Sequence, residues 1–286
     1  MKGWLIYSPA GIRRNRWFAE RLMAEAKARG VELGLRLVPD VVESVAEEDG
    51  EVVGPPPREL VQAVKAEAPD FAVVRLIRPD VSEFLESAGV RCVNNALTSR
   101  VANDKWRTFE LARELGLPVM DTFRCSAGWS AESGFPWVVK SRDGHGGGEV
   151  ALVGDAAEFS RFAAGLHKRH LIAQPLCSDP GRDIRVYALR GEVVGAVLRT
   201  SRHDFRSNFS LGGEVSAVEA TVGQREMVRM LYDRLRFDFV GVDFILHNGE
   251  WVLNEIEDVV GCRMLYATTG RDAAAMLARA VCDFRV

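Results

Sequence analysis

The sequence predicts a mixed architecture, an α/β unit followed by two α+β units. Three observations carry the prediction. Short apolar runs alternate with helical patterns through the first third; strands and hairpins dominate after Asn94; and 286 residues exceed what one hydrophobic core usually supports. The expected division is 1–93, 94–176 and 177–286.

Trp4 to Tyr7 reads as a buried strand, followed by a small-residue loop, Ser8 to Gly11. A helix is expected from about Trp17 to Arg29, with Phe18, Leu22 and Ala26 on one face and Gly30 as its stop. Leu33 to Val38, Phe71 to Ile77 and Val90 to Val93 supply further strands, and Leu60 to Glu67 and Val81 to Ala88 further helices. That alternation implies a parallel sheet covered on both faces. The acidic, proline-bearing stretch from Glu47 to Pro57 reads as a loose excursion. Asp104 to Leu115 is an amphipathic helix closed by Gly116 and Pro118. Strands follow at Trp137 to Lys140, Glu149 to Val153 and Leu171 to Leu176, then a hairpin from Ile184 to Arg199 turning at Arg190-Gly191. A helix from Gln224 to Leu235, a hairpin from Phe239 to Ile256 and a helix from Asp272 to Val281 complete the reading.

A hydrophobic fraction of 47% with 27% charged residues is the usual mix of a soluble globular protein. A net charge of -3 gives no support for a nucleic-acid partner. No run reaches the length of a membrane span, and the N-terminal apolar run meets Pro9 too soon for a signal peptide. The five cysteines are scattered, without zinc or redox spacing, which favours a reducing cytoplasm.

The most informative loop runs from Lys140 to Val150. A strand delivers Lys140, and Gly144, Gly146, Gly147 and Gly148 follow. Glycines let backbone N–H groups approach phosphate oxygens, and a Lys at the entrance adds a point charge. A plain flexible hairpin turn is the alternative, and His145 reads as a spacer. The second feature is Asp243 on one strand of the last hairpin with Glu255 and Glu257 on the other. Residues two apart on a strand share a face, and carboxylates so grouped repel unless a cation lies between them. A solvated acidic edge is the alternative, and the apolar neighbours Trp251, Leu253 and Ile256 weigh against it. Register tests the idea. A two-residue Asn248-Gly249 turn pairs His247 with Glu250 and puts Asp243 and Glu255 on opposite faces, so the metal reading requires a three-residue, bulged loop. Asp183 and Arg185 share a face, and Arg206, Ser207 and Asn208 precede another glycine pair. Arginine there suits phosphate or carboxylate recognition, with surface ion pairing as the alternative.

In this order, Asn103-Asp104-Lys105, Lys140 with its glycine loop, Gln174-Pro175-Leu176, Asp183-Ile184-Arg185, Phe205 to Asn208 and Asp243 with Glu255 to Glu257 resemble the ATP-grasp superfamily, closest to the RimK-like carboxylate–amine ligases. The resemblance spans about Asn94 to Cys282, and the first third matches the family's Rossmann-like pre-ATP-grasp domain. It implies that Lys105, Lys140, Gly144, Gly146, Gly147 and Ser207 meet ATP phosphates, that backbone from Gln174, Pro175 and Leu176 meets adenine, and that Asp183 holds the ribose or neighbouring groups. Arg185, Arg206 and Asn208 would serve catalysis, and Asp243, Glu255 and Glu257 would hold Mg²⁺ or Mn²⁺. The implied partners are ATP and a small-molecule, amino-acid or peptide substrate, with no membrane or nucleic acid; self-association stays open. A non-catalytic ATP-binding module, or a ligase with a non-amide product, is the rival implication. The chain departs from the family at Glu257, where Asn is usual, and at Asp258 to Arg263, which replaces a Ser/Ala-Pro-Gly segment and leaves the acceptor undefined. Arg263, just past the metal-binding strand, is placed to bind a substrate carboxylate with Tyr266 one turn away, or else to lie on the surface.

Overall fold

The computed structural model describes all residues except 40–45, 49–50, 54, 126–133, 145–146, 167–169, 202–203, 207–212 and 286, with backbone alone at 46–48, 51–53 and 285. Gly146, Ser207, Asn208 and His145 therefore lie outside the described residues.

The first unit holds β1 (Lys2–Tyr7), α1 (Pro9–Ala28), β2 (Glu32–Leu37), β3 (Ala46–Glu48), β4 (Glu51–Val53), α2 (Arg58–Glu67), β5 (Phe71–Arg75), α3 (Pro79–Ser87) and β6 (Arg91–Val93). Its sheet has the order β2-β1-β5-β6 and every pairing is parallel, as the buried apolar runs require. One expectation needs correction. The Ser8 to Gly11 segment is not a loop: Ser8 caps α1, its Oγ accepting from Gly11 N at 2.9 Å, and Pro9 takes the first helical position, where its missing N–H costs nothing. The expected excursion overlapping Glu47 to Pro57 is present: β3 and β4 pair as a small hairpin of their own, outside the main sheet.

Beyond Asn94 come α4 (Ala96–Ala102), α5 (Lys105–Glu114), β7 (Phe123–Cys125), β8 (Trp137–Ser141), β9 (Val150–Val153), α6 (Ala156–Ala164) and β10 (Leu171–Pro175). The four strands form an antiparallel sheet of order β7-β10-β8-β9. The third sheet combines β11 (Arg182–Leu189), β12 (Glu192–Thr200), β13 (Glu214–Val218), β14 (Phe239–His247) and β15 (Glu250–Glu257) in the order β13-β12-β11-β14-β15. Helices α7 (Val222–Leu235), α8 (Arg263–Thr269) and α9 (Ala273–Cys282) complete it.

Packing cuts across these sheets. Ala102, Leu111, Ala112 and Leu117 join the core formed by Val186, Val240, Val242 and Phe244, so α4 and α5 lie on the third sheet, not the second. Leu5, Phe18 and Leu22 of the first unit share a core with Tyr187, Phe239, Leu265 and Leu277. Asn94 fastens the junction, its amide nitrogen donating to Phe239 O and Asp258 Oδ1, both at 2.7 Å. The third sheet is thus covered along much of both faces, and its buried polar residues Asp183, Arg185, Arg199 and Asp243 line one cleft. No helix among the described residues is long and apolar enough to cross a membrane.

Candidate active site

Two hairpins build the floor of the cleft, and each contains a register change. In the first, Arg190-Gly191 makes a two-residue turn between Leu189 and Glu192, but the register shifts after Ala188↔Val193 so that Tyr187 faces Gly195, leaving Val194 as the extra residue. In the second, the turn is the two-residue Asn248-Gly249, both residues at positive φ. That turn alone would separate the carboxylates. Instead Phe244 pairs with Leu253 and Asp243 with Glu255, so Asn254 is a bulge inside β15. The turn is the obvious one; the bulge sits elsewhere, and it brings Asp243, Glu255 and Glu257 onto one face.

On that face Asp183, Arg185, Arg199 and Asp243 interlock. Arg185 donates Nε to Asp243 Oδ1 at 2.7 Å and Nη2 to Oδ2 at 2.6 Å, and Arg199 Nη2 reaches the same Oδ2 at 2.7 Å. Arg199 also grips Asp183 with two bonds, and Arg185 reaches Glu257. All four residues are buried. Burial opposes ionisation of Asp243, but the charges of Arg185 and Arg199 outweigh it and hold the carboxyl down at about 2. Glu257 moves the other way: burial, with Asp243 and Glu255 adding to it, raises its pKa. Arg199 was not foreseen. The Arg190-Gly191 turn alone would pair Asp183 with Leu198; the extra residue Val194 resets the register and sets Arg199 directly opposite Asp183. Asp183 lines the cleft, but its carboxylate is turned to Arg199, which makes it a support for the arginines in this structure.

The opposite wall comes from the second sheet. Lys140 on β8 is half-buried, and its Nζ donates to Asn254 Oδ1 at 3.0 Å, so the bulge residue touches the lysine. Desolvation of the ammonium pulls its pKa down to about 8, against a smaller opposing pull from Glu255. Lys105 opens α5 behind Asp104, whose Oδ1 accepts from Trp106 N at 2.8 Å and whose carboxylate also pairs with Arg142. The Lys105 ammonium is bonded to the Gly144 carbonyl and stands 3.6 Å from Glu255. Arg206, ion-paired with Asp204 at 2.6 Å, donates Nη1 to Gly147 O at 2.8 Å. Two cations therefore reach the glycine loop itself. Gln174 turns its amide to Thr122 Oγ1 at 2.8 Å, so the cleft receives the chain from Gln174 through Pro175 and Leu176 rather than a free amide.

The same cleft is lined by Lys105, Lys140, Gly144, Gly147, Asp243 and Glu255, with Glu257, Arg185, Arg206 and Arg263 around them. Tyr266 is not brought there. Its hydroxyl donates to Asp272 Oδ1 at 3.0 Å and accepts from Ala274 N at 2.9 Å, and its ring meets Trp17 edge-on at 4.8 Å. It serves the start of α9 instead.

Among the described residues no three His, Cys, Asp or Glu side chains form a cluster able to hold a metal ion unaided. The donors still fit a hard divalent cation that arrives with phosphate oxygens, which needs only one or two carboxylates from the protein. A carboxylate has about four lone-pair sites; Asp243 uses three of them on Arg185 and Arg199. Glu255 meets Lys105 at 3.6 Å, and Glu257 meets Arg185.

Comparison with known proteins gives the family. A probable alpha-L-glutamate ligase of Maridesulfovibrio salexigens is 30% identical over 203 residues, 67% of each chain. Uncharacterized protein MG011 of Mycoplasma genitalium is 30% identical over 167 residues, covering 58% of this chain; that stretch is 57% of the Mycoplasma protein, so this chain spans well under two thirds of that relative. A D-alanine–D-alanine ligase from Bacillus anthracis, solved with ATP, superposes over 100% of both chains with a TM-score of 0.70 at 16% identity, which speaks for the fold. The RimK-like ATP-grasp domain model matches residues 129–281. That match covers more than half of the sequence and takes in the glycine loop and both bulged hairpins, and the chain belongs to the RimK-like ATP-grasp family.

Proposed function

We propose that the protein is an ATP-dependent carboxylate–amine ligase that joins an amino acid or peptide through an acyl-phosphate. The observation that carries this reading is the meeting of two walls: Lys105, Lys140 and Arg206 around the glycine loop, opposite three carboxylates that the Asn254 bulge sets on one face. Phosphoryl transfer depends chiefly on such placed charge. The name of one relative, a probable alpha-L-glutamate ligase, supports the same chemistry.

In this reading the adenine lies along Gln174 to Leu176, and Lys140 and Lys105 neutralise the phosphates. A substrate carboxylate oxygen attacks the γ-phosphorus, the bond to the β–γ bridging oxygen breaks, and ADP leaves. An amine then attacks the acyl carbon, loses a proton and displaces inorganic phosphate, giving an amide. Arg185, clamped by Asp243 and Glu257, is held rigid where charge develops on the transferring phosphoryl group. Glu255 and Glu257, with Asp243 beside them, would hold Mg²⁺ or Mn²⁺, which would shield phosphate charge. Ser207 and Asn208 belong to the proposed site by family analogy. All five cysteines are free thiols, which supports a reducing compartment such as the cytoplasm.

The test is ADP and phosphate release with ATP and Mg²⁺, screened across amino acids and small peptides. Release that depends on one substrate pair and disappears in Lys140→Ala supports the ligase; ATP turnover indifferent to every addition removes it.

A further inference from the structure

The segment after β15 is tied down at three of its residues. The buried carboxylate of Asp258 accepts from Asn94 Nδ2 at 2.7 Å. The Val260 carbonyl accepts from Arg75 Nη2 at 2.7 Å, and the Gly261 carbonyl from the Tyr187 hydroxyl at 3.0 Å. The Val260 side chain fills the space above Gly241, where an added Cβ would stand 2.6 Å from Val260 Cγ2. These ties come from the first unit, the junction and the third sheet, so the loop is a fixed shelf.

The shelf ends at Arg263, which opens α8, is exposed and lines the cleft. The other cations of the cleft are engaged: the two lysines with Asn254 and Gly144, Arg182 with Asp179, and the remaining arginines with carboxylates. Arg263 has no hydrogen bond or ion pair among the described residues. A planar guanidinium on a rigid support, with its donors unspent and facing a ligand cleft, suits an oxyanion bound bidentately.

We propose that Arg263 binds a substrate carboxylate other than the one that becomes phosphorylated. The inference rests on the ligase reading and narrows its substrate to one with a spare carboxylate: either the α-carboxylate of an acceptor amino acid or the second carboxylate of a diacid donor. Arg263 opens α8, on the segment that follows Glu255 and Glu257, whereas the two lysines belong to α5 and β8, so in this proposal it meets the substrate and not the nucleotide.

Calorimetric titration at saturating Mg²⁺ and a non-hydrolysable ATP analogue tests this. Each L-amino acid is compared with its α-amide, and glutarate with butyrate. In the native protein, one charged member should bind about tenfold or more tighter than its match, the usual contribution of a charged hydrogen-bonded pair. Arg263→Ala should close that gap and leave affinity for the ATP analogue unchanged. Arg263→Lys should restore part of it, since the point charge remains without the fork. A gap in the amino-acid pairs places the carboxylate on the acceptor; a gap between glutarate and butyrate places it on the donor. Absence of any gap in the native protein, or a gap that survives in Arg263→Ala, overturns the assignment. ADP release in the same solutions separates the two ideas: ADP without a gap sinks this inference alone, and a gap closed by Arg263→Ala without ADP sinks the ligase reading alone.

Discussion

Raising the pH from 7.5 to 9 should weaken ATP binding by roughly eightfold, through Lys140. Burial in the cleft lowers this lysine to about 8 from its ordinary 10.5. In the free protein it is therefore half charged near pH 8. A bound polyphosphate favours the charged form and returns the pKa toward its ordinary value. The sign follows: binding takes up a proton, affinity is nearly flat below pH 8, and it falls as pH rises above it. A group with a pKa of about 8 is about three-quarters protonated at pH 7.5 and roughly a tenth protonated at pH 9, which sets the eightfold ratio. At pH 8 the uptake should be about half a proton per nucleotide. Calorimetry of a non-hydrolysable analogue, in buffers of differing ionisation enthalpy and at fixed Mg²⁺, reads both quantities. Lys140→Arg, whose guanidinium stays charged throughout, should flatten the profile. A constant affinity across this range, or an unchanged profile in the arginine variant, would refute the placement of Lys140 against the phosphates.

Glu255→Gln should cut Mg²⁺-dependent turnover by about 100-fold while leaving Tm unchanged, because its neighbour Lys105 is already bonded to Gly144; a matching loss of Tm would assign it a structural role instead. Asp243→Asn leaves Arg185 and Arg199 without their shared anion, and urea unfolding should record a loss of about 3–5 kcal/mol. With a folded pKa of about 2 against 3.8, the Asp243 contribution is present above pH 4 and fades as pH falls toward 2, so the variant's stability should fall less over that window. Gly241→Ala forces Val260 to move and should cost about 1–3 kcal/mol, with KM for the non-nucleotide substrate rising and KM for ATP steady. Glu257→Asn should keep most activity, since Arg185 retains Asp243; complete inactivity would make Glu257 indispensable.

What the sequence disclosed and what it hid divide along a physical line. Patterns that depend on a residue and its near neighbours were legible: the apolar run of β1, the alternation of Val240, Val242 and Phe244, the Arg190-Gly191 turn and the glycine loop beside Lys140. The start of α1 was misread because Ser8-Pro9-Ala10-Gly11 is turn-like in composition, and only the Ser8 cap makes it helical. The short helices α4 and α8 have too few turns for a periodic signal. Register was hidden most completely. Asn248-Gly249 announces a two-residue turn, yet the pairing that matters at Asp243 is reset by Asn254, and nothing local to Asn254 marks it as a bulge. Arg199 was lost for the same reason, since its role depends on which residue it faces across the hairpin.

The shared core of the first unit has a consequence for how the protein comes into being. The inner face of α1, with Phe18, Ala19, Leu22 and Ala26, is closed in part by Leu277, Ala278 and Val281 of α9. An ion pair along the same contact joins Arg21 to Asp272, 251 residues downstream. On a ribosome the first α/β layer therefore emerges with the part of its apolar stripe that α9 closes still open. It must wait, through synthesis of nearly the whole ligand cleft, for Leu277, Ala278 and Val281. Such distant closure slows folding and prolongs exposure to aggregation. Nascent chains halted before α9 should therefore recruit holdase chaperones, and addition of the α9 segment should release them.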